Sequence, residues 1–535
     1  MNRWLLAIAV VGSVITIALG EDEVAVQTDW SGGGGVAGPV AHWGTTFESS
    51  EGVSWRQWPG RLALAASPRT DPVAHGLPGE HSGAIKVLPS DVDLDGDADL
   101  LAVSYLGDRI ELLLNDGERQ PGWSRMVIAD ELSRALAVAV ADVDGDRLPD
   151  VIAGADTAAE VSWWRNLGGE PPAWERHLID DAVPGAHDLA TADLDGDLDL
   201  DIVGVSYQDD LVLWWRNDGG SPVEWTRHVI AAGFDYPTKV AIADVDRDGD
   251  ADVIAVAWLD QALAWWRNDG GDPIAWSRQE IATGFAGAHW VAADDVDRDG
   301  RVDVIGAAMD LRQLAWWRNG GGEPVAWSKL VVTATLAGAV STAAADIDGD
   351  GDTDVAGAGW HPSGGVAWWE NVDSVGGSWR RHLVASDFGE ASSVAVADID
   401  GTGTPDLVAS SWSLNGLAWW EVSALRPTGT LTGSVLDTGG AAAWTGCGWS
   451  ADQPAGTGVV VEVRSGATLQ ALSPWQELGT EGPCDMLVAG SRYLQYRVLL
   501  DLASAGSSPS LEEVYFRWIP ETAPAPRRAT ARLRP

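Results

Sequence analysis

The chain is short of positive charge, of cysteine and of long apolar runs, and each shortage removes a class of function. Only 34 Lys and Arg stand against 79 Asp and Glu in 535 residues, a formal net charge of -45. A field of that sign repels phosphate backbones, so general binding to nucleic acid or to anionic membranes is disfavoured. After residue 20 no run reaches the roughly 20 apolar residues needed to span a bilayer, so no integral membrane domain is expected once the N-terminus is cleaved. Glycine is abundant, 63 in all, but has no collagen-like period. No G-x-S-x-G, H-E-x-x-H or P-loop pattern occurs, and the histidines lack the spacing of a zinc site. A hydrophobic fraction of 45% in a chain this long is enough for two or more cores and argues against wholesale disorder.

What is present is organised. Residues 1–20 carry Arg3, an apolar run from Trp4 to Ala18 and Ala18-Leu19-Gly20 before the acidic Glu21. This reads as a signal peptide, with an uncleaved anchor as the alternative. Export is therefore expected, to the periplasm, the cell surface or the medium, where free calcium can be high and disulfides persist. Tryptophan, at 31 residues, is far above ordinary usage, and its positions repeat. A D-x-D-x-D-like motif starts at Asp91, Asp142, Asp193, Asp244, Asp295, Asp346 and Asp398, at intervals of 51 residues and a last interval of 52. Small and β-branched residues alternate before each motif and a short apolar run follows it, then a Trp pair, replaced by Leu112-Leu113 in the first unit, then a W-x-R or W-x-K strand, which the seventh unit lacks. No amphipathic helix is visible within a unit. Four short strands per unit is the signature of a propeller blade. Seven units predict an all-β chain, a seven-bladed β-propeller followed by a small β-sandwich. An orphan strand at 53–58, VSWRQW, is expected to complete the seventh blade and remove its open edge.

Carboxylates at positions 1, 3, 5 and 9 of a tight loop converge on one point, and their mutual repulsion calls for a cation. Calcium, a hard oxygen-seeking ion, fits. The expected ligands are Asp91, Asp93, Asp95 and Asp99; Asp142, Asp144, Asp146 and Asp150; Asp193, Asp195, Asp197 and Asp201; and Asp244, Asp246, Asp248 and Asp252. They continue with Asp295, Asp297, Asp299 and Asp303; Asp346, Asp348, Asp350 and Asp354; and Asp398, Asp400, Thr402 and Asp406. That makes about seven Ca2+ sites, the last weakened by Thr402. The flanking helices and the position-12 Glu of an EF-hand are missing. Turns held by Asx-type hydrogen bonds alone are the alternative.

Segments such as ADVDGDRLPDVIAGA at 141–155 and ADIDGDGDTDVAGAG at 345–359 resemble FG-GAP or VCBS-type repeats of secreted proteins, related in form to the integrin alpha propeller. The resemblance implies a seven-bladed propeller with calcium in the loop between the first two strands of each blade. It implies no particular activity.

Adjacent strand residues point to opposite faces, so each Trp pair is expected to fill two blade interfaces, with sugar platforms as the alternative. The arginines that follow the pairs, Arg165, Arg216, Arg267 and Arg318, are expected to pack over rings or neutralise carboxylates. His187 and His289 each lie six residues before an acidic loop, at the entrance to an innermost strand. With Trp290 and Tyr236 they are the candidate ligand site at one mouth of the channel. The domain plan is a signal peptide at 1–20, a flexible Gly-rich segment at 21–39, the propeller at 40–422, a linker at 423–429, the sandwich at 430–520 and a disordered tail at 521–535. LDTG at 436–439 and SRYLQYR at 491–497 resemble sandwich modules of secreted proteins. Cys447 and Cys484, the only cysteines, are expected to form a disulfide there. The function expected is an exported, calcium-stabilised binding or adhesion protein whose partner is an extracellular glycan or a surface protein. A polysaccharide-active lyase or hydrolase and a calcium-dependent self-assembling protein remain as alternatives.

Overall fold

The computed structural model describes residues 66–425 continuously. It also describes the strands at 23–27, 47–51, 53–54 and 62–64 and residues 428–433, 435–454, 457–482, 487–502 and 510–520. The expected signal peptide, the tail at 521–535 and Cys484 lie outside the described residues. The chain divides into two compact units, one of residues 67–348 and 352–424, the other of residues 1–66, 349–351 and 425–535.

The first unit is a seven-bladed β-propeller. Each blade is a four-stranded antiparallel sheet in sequence order, spanning residues 84–129, 135–180, 186–232, 237–282, 288–333 and 339–385, and in the seventh 391–425 joined by Ala66–Gly76. The second strand of every blade, for example Asp150–Ala155, is buried along its whole length, as a run of small and β-branched residues demands. The Trp pairs hold the ring together. Trp163 shares a core with Trp215, Trp214 with Trp266, Trp265 with Trp317, Trp316 with Trp369 and Trp368 with Trp420. Leu113 with Trp419 and Leu112 with Trp164 close the circle. All of these rings are at most 5% exposed, so the pairs are core and not sugar platforms. His177, His228 and His382 stack on the first Trp of their own blades at 4.7, 4.5 and 4.2 Å.

The seventh blade is closed by an N-terminal strand, but not by residues 53–58. Ala66–Gly76 takes that place. His75 stacks on Trp419 at 4.0 Å and meets Glu421 at 3.1 Å, and Arg69 pairs with Glu421 at 2.6 Å. An outer strand needs hydrogen-bonding backbone and one stacking ring, not the W-x-R pattern. Its two prolines are tolerable because it is an edge.

The second unit is built from eleven strands in one hydrogen-bonded network. The run is Phe47–Glu51, Thr428–Gly433, Ser491–Leu502, Leu436–Asp452, Ser510–Pro520, Leu62–Leu64 and Val53–Ser54. Thr457–Gly466 pairs with Ser491–Leu502. Its core includes Leu431, Trp449, Val461, Leu494, Tyr496 and Phe516. Three boundaries differ from the sequence reading. Glu23–Gln27, placed in a flexible segment, pairs with Ser510–Pro520, and Phe47–Glu51, placed in the propeller, pairs with Thr428–Gly433. Strands also run to Leu425 and restart at Thr428, inside the expected linker. The alternating patterns of these short segments fit a sheet edge, and only long-range pairing assigns them to one unit or the other. Cys447 is buried in this unit, and no free cysteine occurs among the described residues.

Candidate functional site

Antiparallel order puts the loops between first and second strands, and those between third and fourth, on one face of the propeller. The remaining connections lie on the other. Two candidate sites follow, one per face.

On the first face the acidic loops gather their carboxylates. Oxygen atoms of Asp91, Asp93 and Asp99 lie within 4.8 Å of one another, as do those of Asp142, Asp144 and Asp146. The same holds for Asp193, Asp195 and Asp197, for Asp244, Asp246 and Asp248, and for Asp295, Asp297 and Asp299. The position-9 aspartate is a staple as well. Asp201 accepts N–H bonds from Leu194 at 3.1 Å and Asn217 at 2.8 Å, tying the loop to the third strand. Asp99, Asp150, Asp252, Asp303 and Asp354 repeat the pattern. Burial pushes these carboxyls up, to about 7 for Asp99, Asp201, Asp252 and Asp303 and about 6 for Asp150, with the N–H bonds offsetting part of the rise. Asp91 Oδ1, Asp93 Oδ1, Asp142 Oδ1 and Asp246 Oδ1 are buried with no hydrogen-bond partner. Buried, partnerless, mutually repelling oxygens are what a hard cation neutralises, so these clusters can hold a metal ion.

The loops are not equivalent. Arg165 reaches Asp144 at 2.6 Å and Asp146 at 3.0 Å, and Arg318 reaches Asp297 and Asp299. Arg216 and Arg267 pair chiefly with Asp218 and Asp269 instead, although Arg267 also stands 4.0 Å from Asp246. In the seventh loop the Thr402 hydroxyl donates to Asp400 at 2.6 Å and meets Thr404 at 3.0 Å.

A further element went unread in the sequence. The Asn that follows W-W-R donates from Nδ2 to the preceding blade's loop: Asn166 to Val92 O, Asn217 to Val143 O, Asn268 to Leu194 O, Asn319 to Val245 O. Asn371 and Asn115 continue the series to Val296 O and Ile399 O. Six of the seven acidic loops accept such a bond; the loop that starts at Asp346 does not, since Val422 stands at the Asn position of the seventh blade. The repeated W-W-R-N was the available signal.

On the opposite face a cavity of about 310 Å³ opens at the channel mouth, and all four sequence-predicted residues, His187, Tyr236, His289 and Trp290, line it. Aligned repeats explain why: the cavity is built from the positions six and five residues before the acidic loops. The outer tier includes His187, Thr238, His289 and Val340, and the inner tier Lys86, Asp188, Lys239 and Trp290. Of the inner tier only Trp290 was expected; Lys86, Asp188 and Lys239 were not. His187 and His289 lie 5.7 Å apart, centroid to centroid. Burial pushes their imidazoles down, to about 4 and about 3, so both are neutral at pH 7. His289 Nδ1 donates to Val340 O at 3.0 Å, which leaves Nε2 as an acceptor.

Above them the turns after the second strands supply a rosette missed in the sequence: Tyr105, Tyr207, Trp258, Trp360 and Trp412, interrupted by Asp156 and Met309. Tyr207 meets Tyr236 at 4.6 Å, Tyr236 meets Trp258 at 5.9 Å and Trp258 meets His289 at 5.6 Å. Trp412 meets Trp360 at 5.4 Å and Tyr105 at 5.6 Å. Asp156 fills the gap by accepting hydroxyl hydrogen bonds from Tyr105 at 2.8 Å and Tyr207 at 2.9 Å. These rings are half-buried, unlike the Trp pairs. Among the described residues no helix is long and apolar enough to cross a membrane.

No curated protein matches the chain. Among solved structures, an Agrocybe aegerita lectin described by its recognition of non-reducing terminal N-acetylglucosamine is 18% identical, with a TM-score of 0.45, over 64% of this chain and 86% of that one. BBS1N, in a complex with ARL6DN, is 12% identical with a TM-score of 0.44, over 66% of this chain and 97% of that one. We attach no functional meaning to either likeness. The FG-GAP-like repeat model matches residues 91–153, 142–204, 193–255, 295–357 and 346–409, together more than half of the sequence. The chain belongs to the FG-GAP-like repeat family.

Proposed function

We propose that the protein is an exported, calcium-stabilised binding protein that recognises an extracellular glycan or a surface protein through the aromatic face of its propeller. The observation that carries this reading is the mouth cavity, concave and lined by half-buried aromatic rings with a few convergent polar groups. In this reading calcium is held, on the opposite face, by the position 1, 3, 5 and 9 side chains of about seven loops. Bound there, the ion neutralises carboxylates and fixes the loop, so its role is in stability and not in chemistry. The N-terminal 20 residues direct export, and Cys447 pairs with Cys484 in the C-terminal β-sandwich. Loop oxygens without a hydrogen-bond partner support the calcium sites, and the absence of free cysteine among the described residues supports the disulfide.

A glycan array probed with the full chain in calcium, followed by analysis of the incubated glycans, tests the reading. Saturable binding with unaltered glycans is expected. New reducing ends or unsaturated products would overturn it in favour of a lyase or hydrolase.

A further inference from the structure

The floor of the mouth cavity carries charge that the rest of the cavity does not balance. Lys86 Nζ donates to Asp188 Oδ1 at 2.8 Å and to Val138 O at 3.2 Å. Lys239 Nζ lies 2.8 Å from the other oxygen, Asp188 Oδ2, and 4.4 Å from the centroid of the Trp290 ring. Residues from the first, third and fourth blades thus form an ion bridge across the channel. Lys86 and Lys239 also line the larger cavity behind it, of about 630 Å³, so the bridge divides the two.

Two ammonium groups face one carboxylate, and the neighbouring imidazoles of His187 and His289 are neutral. The floor therefore holds an excess positive charge inside a protein whose net charge is -45. A buried charge without a full partner is costly. Burial pushes Lys239 down to about 8, the mark of an ammonium group short of compensation. For Asp188 burial acts upward, yet Lys239 and Lys86 hold the carboxyl below its ordinary value, so both lysines are already committed to one shared anion. Among the described residues Lys239 Nζ pairs with the Asp188 carboxylate and faces the Trp290 ring, which leaves an N–H for a ligand.

The walls narrow the chemistry. Tyr236, Trp258, Trp290 and Trp360 offer flat apolar surface, while the free acceptor of His289 offers an isolated polar contact. A pyranose presents the same mixture, an apolar C–H face and hydroxyl edges. The closed floor admits it end-on.

We propose that the mouth cavity takes the terminal residue of an acidic glycan, a pyranose bearing one carboxylate, with the carboxylate on Lys239 and Lys86 and the sugar against the aromatic wall. This deepens the binding reading above and rests on it.

Titration calorimetry of the full chain in calcium tests it, using the methyl glycosides of glucuronate and galacturonate, the corresponding neutral hexosides, and acetate. At least one uronoside is expected to bind about tenfold or more tightly than its neutral hexoside and than acetate, as a charge-assisted contact implies. Lys239→Met should abolish that preference, and Lys239→Arg should retain part of it. Equal affinity for uronoside and hexoside, with Lys239→Met unchanged, would overturn the acidic-glycan assignment and leave glycan binding standing. Acetate binding as tightly as the uronosides would overturn it in favour of a plain anion site. Failure of every uronoside, with binding to other glycans on the array, would sink the assignment alone; failure of all glycans and of surface protein would sink the parent reading. If Lys239→Met does not fold, the wild-type comparison of acid, neutral sugar and acetate decides by itself.

Discussion

The two faces of the propeller are built from the same seven repeats and have diverged in opposite ways. On the acidic face, position after position is copied: Asp at the first, third and ninth places and, in six blades, the position-9 carboxylate on two backbone amides and the Asn bridge to the preceding blade. On the aromatic face the equivalent positions read Tyr105, Asp156, Tyr207, Trp258, Met309, Trp360 and Trp412, and beneath them Lys86, Asp188, Lys239 and Trp290 stand where other blades carry Ala137, Ser341 and Ser393. Uniformity suits a task that every blade shares, which is holding the ring. Variety at matching positions makes one asymmetric cavity out of a nearly symmetric frame.

Three substitutions break or sharpen this contrast. Trp214→Ala removes a fully buried ring from a blade interface and is expected to cost about 3–5 kcal/mol, read by denaturant unfolding. Asn217→Ala deletes donors to Val143 O and Leu200 O and an acceptor for Gly219 N–H. About 1–3 kcal/mol should be lost, since buried groups are left unsatisfied. Trp258→Ala, on the other face, should cost about 1 kcal/mol or less by the same assay, because its ring is half-buried, while weakening glycan binding by about tenfold. A stability loss as large as that of Trp214→Ala would erase the distinction between the faces.

The smallest effect concerns pH. His187 and His289 titrate near 4 and 3 in the folded chain against 6.5 unfolded. A base whose pKa falls on folding favours the unfolded state as it is protonated, so this contribution to stability is complete above about pH 7 and is lost as pH falls towards 4. Thermal melts of a His187→Gln/His289→Gln double variant should therefore decline less between pH 7 and 4 than those of the wild type. Parallel curves would mean that the pair is not held neutral by burial.

Much of this was legible in the sequence because the repeat is long and regular. The interval of 51 residues located the blades, adjacency within each Trp pair placed its rings in two interfaces, and the offset of six residues brought His187 and His289 to one mouth. The closing strand was misassigned because Ala66–Gly76 contains no W-x-R pattern and is fixed by pairing with a segment some 350 residues away. The rosette and the Lys86–Asp188–Lys239 bridge escaped for a different reason. Their residues differ from blade to blade, and a search for sameness passes over them, although aligned offsets would have lined them up. The W-W-R-N asparagine had the periodicity but not an evident role, since its partner carbonyl lies 74 residues back in the preceding blade.

The central claim is that metal in the acidic loops holds the ring, and scanning calorimetry with metal analysis, before and after chelation, tests it most directly. About seven calcium ions per chain and a large drop in the propeller's melting temperature on chelation are expected. An unchanged melting curve with no bound ion would contradict the account and reduce the loops to hydrogen-bonded turns.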